Sequence, residues 1–267
     1  MRGAAITALL LCGAAAPAAP QAAANRATRY LFQTDVRDAR AVWVNPAGTA
    51  VTPSASVYGD VVVRGPDATT RLAQITAGFS SRGLTFGYQY DDFEAGTGHT
   101  YRLGLAGVSG ALAIGAAAAH YRGNTSDWGY DLGAVLLAGP RVTLGATLAN
   151  IGKPVVRGVR QEFAFVPGAT LTPLGPALEL SALGRLTGAD DGYSVGVRWH
   201  PPVAPGGAVF VRLDTDGDLR GTGFAFGLAI GRVDQAGLVL TTPRDLSSVE
   251  ATSVYGVASR PMGHRRP

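Results

Sequence analysis

Five charged residues stand where charge is costly. Arg102, Asp131, Glu179, Arg198 and Arg212 all fall on the small-residue face of segments whose other face is bulky and apolar. A charge enclosed on such a face must be hydrated or paired. Paired, the five would stiffen an interior. Hydrated, they would line a passage and sort solutes by charge, as rings of charged side chains do in pores.

Bond-making chemistry has less support. The histidines are His99, His120, His200 and His264, and none stands in a nucleophile-elbow or paired zinc-ligand motif. His99 and His120 fall near segment ends, where a site could still be assembled from residues distant in sequence. Asp214, Asp216 and Asp218 around Gly217 put oxygen ligands at alternate positions, as a calcium loop does. Where such a loop needs its distal glutamate this chain has Ala225, which excludes an EF-hand. A polar hairpin turn is expected there, with a weak divalent site shared with lipopolysaccharide as the alternative. Cys12 is the sole cysteine, so no thiolate metal site or disulfide is expected in a mature chain. Neither catalysis nor a cofactor or metal is expected.

The elements that must position the charges are strands. From Ser54 to Ser259, bulky apolar residues alternate with small or polar ones, which sends the two sets to opposite faces. Leu84, Phe86, Tyr88 and Tyr90 alternate with Thr85, Gly87 and Gln89, and Tyr193, Val195, Val197 and Trp199 with Ser194, Gly196 and Arg198. The same pattern holds for Val142 to Leu148 and for Phe224 to Ile230. Candidate strands begin near Ser54, Thr70, Gly83, Thr100, Gly110, Trp128, Arg141, Gln161, Ala177, Gly192, Ala208, Arg220, Val233 and Val249. That makes about fourteen, with about twelve as the alternative, each ~9–12 residues long, enough for a tilted strand to cross a hydrocarbon layer.

Composition agrees. Only 16% of residues are charged, 37 are glycine and 46% are hydrophobic. Beyond the N-terminus no run is apolar for the ~20 residues a spanning helix needs. A sandwich or solenoid would show a charged exterior, and too little charge is present to solvate one. The arginines are scattered and Lys153 is the only lysine, which removes the basic stripe that nucleic-acid binding requires. Connections tend to alternate between tight turns (80–82, 108–110, 139–140, 172–175, 231–232) and longer loops (91–98, 122–127, 150–159, 243–248), as in outer-membrane barrels with short periplasmic turns. The proline-rich link from His200 to Gly207 breaks this rule. Aromatics at strand ends, including Tyr101, Tyr121, Trp128, Tyr130, Tyr193 and Trp199, suit interfacial girdles.

The first residues read as a signal peptide: Arg2, an apolar run from Ala4 to Ala16, and small residues ending at Ala24, with cleavage expected there. This implies export to a bacterial outer membrane. Residues 25–52 differ from the rest, with charges at Arg26, Arg29, Asp35, Arg37, Asp38 and Arg40 followed by Ala41-Val42-Trp43-Val44-Asn45-Pro46-Ala47-Gly48. Taken alone, Asn45, Pro46, Ala47 and Gly48 make an ordinary turn, proline fixing φ and glycine permitting the reversal.

The Ala39-Arg40 pair, Trp43 and the Asn45–Gly48 motif together resemble the N-terminal signature of the outer-membrane family that includes FadL-type long-chain fatty-acid transporters and PorV/PorQ-type barrels. Ala149-Asn150-Ile151-Gly152-Lys153-Pro154 is similar to a turn after a mid-barrel strand in that family. The resemblance implies an all-β, up-and-down transmembrane barrel with residues 25–52 as a luminal hatch, residues 53–260 as the wall and residues 261–267 as a tail. It implies outer-membrane lipid and a hydrophobic or amphipathic small molecule as partners, passed by passive transport. A PorV-type role, anchoring a surface or periplasmic protein, is the second reading, and a soluble secreted sandwich is the third. The chain departs from the family pattern in lacking a glycine-rich stretch between Arg40 and Trp43 and in its short loops.

Overall fold

Period-two alternation is resolved into long strands. The computed structural model describes residues 28–52, 54–64, 72–93 and 96–262 of the 267. The expected signal peptide, Cys12, the strand start at Thr70 and His264 lie outside the described residues.

The wall opens with β1 (Ser54–Arg64), β2 (Leu72–Ser81), β3 (Leu84–Phe93), β4 (Gly96–Ser109), β5 (Leu112–Arg122), β6 (Ser126–Leu137) and β7 (Val142–Ile151). A short hairpin, β8 (Val155–Val156) and β9 (Val159–Arg160), follows outside the wall sheet. The wall resumes with β10 (Ala164–Leu171), β11 (Leu178–Arg185), β12 (Gly192–Trp199), β13 (Gly207–Asp216), β14 (Gly221–Ile230), β15 (Asp234–Pro243) and β16 (Ala251–Pro261). These fourteen strands form one closed antiparallel barrel in sequence order, with β7 pairing directly to β10. Closure comes from β1 and β16, which pair from Ser54↔Pro261 through to Arg64↔Ala251. A closed ladder leaves no edge, so the strands satisfy one another's backbone groups without water.

The faces fall as the alternation requires. Leu105 is 64% exposed, Ile114 60% and Val57 52%, all on the outside, while Ser56, Thr85, Gln89 and Thr147 are buried on the inside. Bulky side chains therefore point away from the enclosed space, which is the reverse of a sandwich. The expectation of a soluble sandwich is overturned by this closure.

Several boundaries differ from the sequence reading: β10 starts at Ala164 rather than Gln161, β5 at Leu112 rather than Gly110, β6 at Ser126 rather than Trp128 and β16 at Ala251 rather than Val249. β4 starts at Gly96 rather than Thr100, because Asp91, Asp92 and Phe93 pair with Gly98, Thr97 and Gly96 and carry the hairpin beyond the expected loop. Pro261, expected to begin the tail, still pairs with Ser54. Both barrel termini lie at the end that carries the tight turns. The link from His200 to Gly207 lies there too; the longer connections lie at the other end.

Candidate functional site

The enclosed space is filled from within. Residues 28–52 run through the barrel as a compact chain with two single-turn helices, α1 (Ala41–Val44) and α2 (Gly48–Val51). Tyr30, Leu31, Phe32, Val36, Ala41 and Val42 are all buried, although a four-residue helix has no stability of its own. Its conformation is imposed by the wall.

The Asn45–Gly48 motif is the joint between the two helices. Asn45 is fully buried. Its Oδ1 accepts the Ala47 amide at 3.1 Å, and its Nδ2 donates to the Ala134 carbonyl of β6 at 3.0 Å. The turn expected from sequence is thus present, and the wall holds it. Gly115 and Gly133 face the motif; a Cβ on the first would run into the Pro46–Ala47 backbone, and on the second into Asn45 Oδ1. The wall is bare of side chains where the joint presses closest.

The five inward charges are all engaged, and three reach the segment. Arg102 Nη1 lies 2.6 Å from Asp131 Oδ2 and donates to the Val42 carbonyl at 3.0 Å. Its guanidinium also lies over the Trp43 ring, 5.2 Å from the centroid. Asp131 Oδ1 accepts the Asn150 amide at 2.9 Å, where the β6–β7 register shifts. Arg198 Nη1 stands 3.1 Å from both Asp35 and Glu179. Arg212 pairs with Asp214 at 2.7 Å and donates to the Leu31 carbonyl at 2.8 Å. The charges therefore pair, as one of the two expectations had it, and they also clasp the segment.

Several contacts of the segment, including those of Arg40, escaped the sequence reading. Gln33 accepts from Thr147 Oγ1 at 2.8 Å and donates to the Val166 carbonyl. Arg40 is held by Asp38 at 2.6 Å, donates to Tyr30 OH at 2.9 Å and lies over the Tyr255 ring. Tyr30 stacks between Phe210 and Tyr255. The charges of residues 25–52 were the only available signal, since partners so far apart in sequence leave no local pattern.

Electrostatics within the segment is uneven. Burial drives the Asp35 carboxyl above the usual range, with Arg198 opposing. Burial also works against ionised Asp38, but the Arg40 charge and hydrogen bonds outweigh it and hold that carboxyl below its ordinary value.

At the loop end, the hairpin β8–β9 folds over the mouth. Val156 is buried against Ala119 and Tyr121; Tyr121, expected in the girdle, instead faces inward, where its hydroxyl accepts from Arg102. Arg157 at the hairpin tip pairs with Asp91 of β3. Asp91 in turn accepts Gln89 Nε2 at 2.8 Å. At the turn end the lumen remains open as a cavity of about 750 Å³, with Asp35, Glu179 and Arg198 among its lining residues.

His99 and His120 lie on the outer wall and do not meet the inward charges. Tyr88 OH and His99 Nδ1 are 2.9 Å apart, and His120 stacks on Trp128 at 4.5 Å, as ring-bearing girdle residues would. Asp214 faces inward with Arg212, whereas Asp216 accepts the Asp218 and Arg220 amides in the β13–β14 turn. The three aspartates do not converge, and the expected polar turn is what Asp216 builds.

These features define a class: a closed fourteen-stranded antiparallel barrel, apolar outside, with an N-terminal segment docked in its lumen. Among solved structures, the barrel is similar to the toluene transporter TbuX of Ralstonia pickettii. The two are 12% identical, the match covers 89% of this chain and 98% of that one, and the TM-score is 0.61. A variant of the Rh. blastica porin also matches, at 10% identity over 77% of this chain and 99% of that one, with a TM-score of 0.44. No protein-family model matches the chain, and no curated protein matches it in sequence. The likeness to the transporter is one of fold.

Proposed function

We infer that the protein is an outer-membrane barrel that passes small hydrophobic or amphipathic molecules passively, with residues 28–52 as the hatch that controls the passage. The observation that carries this reading is the clasp: Arg102 and Arg212 on the wall each donate to a main-chain carbonyl of the segment. A segment held by a few polar contacts inside a self-sufficient wall can shift without opening the barrel. The apolar exterior supports placement in lipid, and an exported chain of this kind belongs in the outer membrane.

The solute class is supported by the likeness to TbuX, named as a toluene transporter, and by the FadL-type resemblance of Asn45–Gly48. Of the five inward charges, Arg102, Arg198 and Arg212 then form the clasp, and Asp131 and Glu179 hold Arg102 and Arg198 in place.

Proteoliposomes test the reading directly. Uptake of a small aromatic hydrocarbon should be faster into vesicles carrying the full chain than into empty vesicles. Removal of residues 25–52, which leaves the expected signal peptide in place, should raise that rate. Identical uptake by the two proteins and by empty vesicles sinks the proposal.

A further inference from the structure

Arg37, Arg141 and Arg232 come from three distant parts of the chain: the luminal segment, the β6–β7 turn and the β14–β15 turn. All three line the same turn-end cavity of about 750 Å³. Each is exposed, and among the described residues no carboxylate stands within ion-pair distance of any of them. The deeper arginines differ, since Arg40 is neutralised by Asp38 and Arg198 by Asp35 and Glu179. Five arginines line the cavity against three carboxylates, an excess of two cationic side chains. Cations of one sign converging on a concave wall focus the potential inside it. One side of the same cavity is apolar, built from Ala208, Phe210, Ala229 and Val257.

We propose that the turn-end cavity is a binding site for small organic anions, the carboxylate or phosphate held by Arg37, Arg141 and Arg232 and the organic part laid on the Phe210 side. Guanidinium groups suit such oxyanions because their donors form a planar fork. The inference deepens the transport reading and rests on it for the route by which the anion reaches the cavity. It gives the last compartment of that route a sign.

The test uses the full chain in non-ionic detergent and three probes with the same ring, benzoate, benzamide and benzylammonium, whose affinities are read by ligand-observed NMR. Benzoate should bind roughly tenfold more tightly than benzylammonium, with benzamide between them, and about 1 M salt should remove most of the difference. The triple variant R37E/R141E/R232E should reverse the order. R82E, on a turn at the same end but outside the cavity lining, should leave it unchanged. If the triple variant fails to fold, the salt series on the unaltered protein still decides. Equal affinity for all three probes, or a benzoate preference that survives both salt and charge reversal, overturns the site. Benzamide flux into proteoliposomes separates the two readings. Absent flux with the benzoate preference intact removes transport and leaves the site, whereas flux with equal affinities removes the site and leaves transport.

Discussion

Arg198 of β12 stands 3.1 Å from Asp35 of the luminal segment and 3.1 Å from Glu179 of the neighbouring strand. One guanidinium thus ties the segment to the wall and pairs with two carboxylates at once. Replacement by glutamine would leave both acids facing each other in partial burial. Losing one partner of a desolvated pair costs about 2–5 kcal/mol, and the side chain of Arg198 is 22% exposed, which places the effect toward the lower end. R198Q should therefore keep the barrel closed, as judged by heat-modified migration, while residues 28–52 become sensitive to protease. Unchanged protection would refute the clasp.

Acidity should act on the segment through two aspartates with opposite sign. Asp38 is held below its ordinary value, so its contribution to docking is complete above about pH 3.9, the exposed carboxylate value, and is lost as pH falls through its docked value. Asp35 is raised, so docking weakens as pH climbs from about 3.9 to that raised value and then levels. Protease protection of the segment should consequently peak at about pH 4, where the Asp38 contribution is nearly complete and the Asp35 decline begins. D35N should remove the decline on the alkaline side, and D38N the decline on the acid side. A flat profile in the unaltered protein contradicts both assignments.

The joint at Asn45 tests how tightly the segment fits. G133A sets a methyl group against Asn45 Oδ1, and G115A sets one against the Pro46–Ala47 backbone. Overpacking of this kind costs about 1–3 kcal/mol. Because the wall ladder is untouched, the strain should fall on the segment. Solute uptake by proteoliposomes should rise while the heat-modified shift persists; uptake equal to that of the unaltered protein would show that the joint does not control passage.

The loop-end mouth has a separate fastening. Arg157 and Asp91 side chains are 5% and 2% exposed, and removing one member of so buried a pair costs about 3–5 kcal/mol. R157A should release the β8–β9 hairpin, seen as faster amide exchange at Val155, Val156 and Val159. Exchange that stays slow would mean that Val156 and its apolar contacts hold the hairpin alone.

The wall was legible because its physics is local. Ser54 and Gly192 begin strands where the alternation placed them, and Leu84, Val142 and Asp234 each lie one residue from the expected start. β4 was misjudged at Gly96 because Thr97, Gly98 and His99 look like loop residues until their partners in β3 are known. The β8–β9 hairpin has too few residues to show any period. The inward charges could be picked out from sequence since each occupies an inward position of an alternating strand. What they hold could not be, because Arg212 and Leu31 are 181 residues apart and no local pattern joins them.

Single-channel conductance in a planar bilayer bears most directly on the central claim that residues 28–52 obstruct an otherwise continuous lumen. The full chain should give small or rare current steps, and the chain lacking residues 25–52 should give larger and more persistent ones at the same voltage. Steps of the same size and lifetime from both proteins would contradict the account.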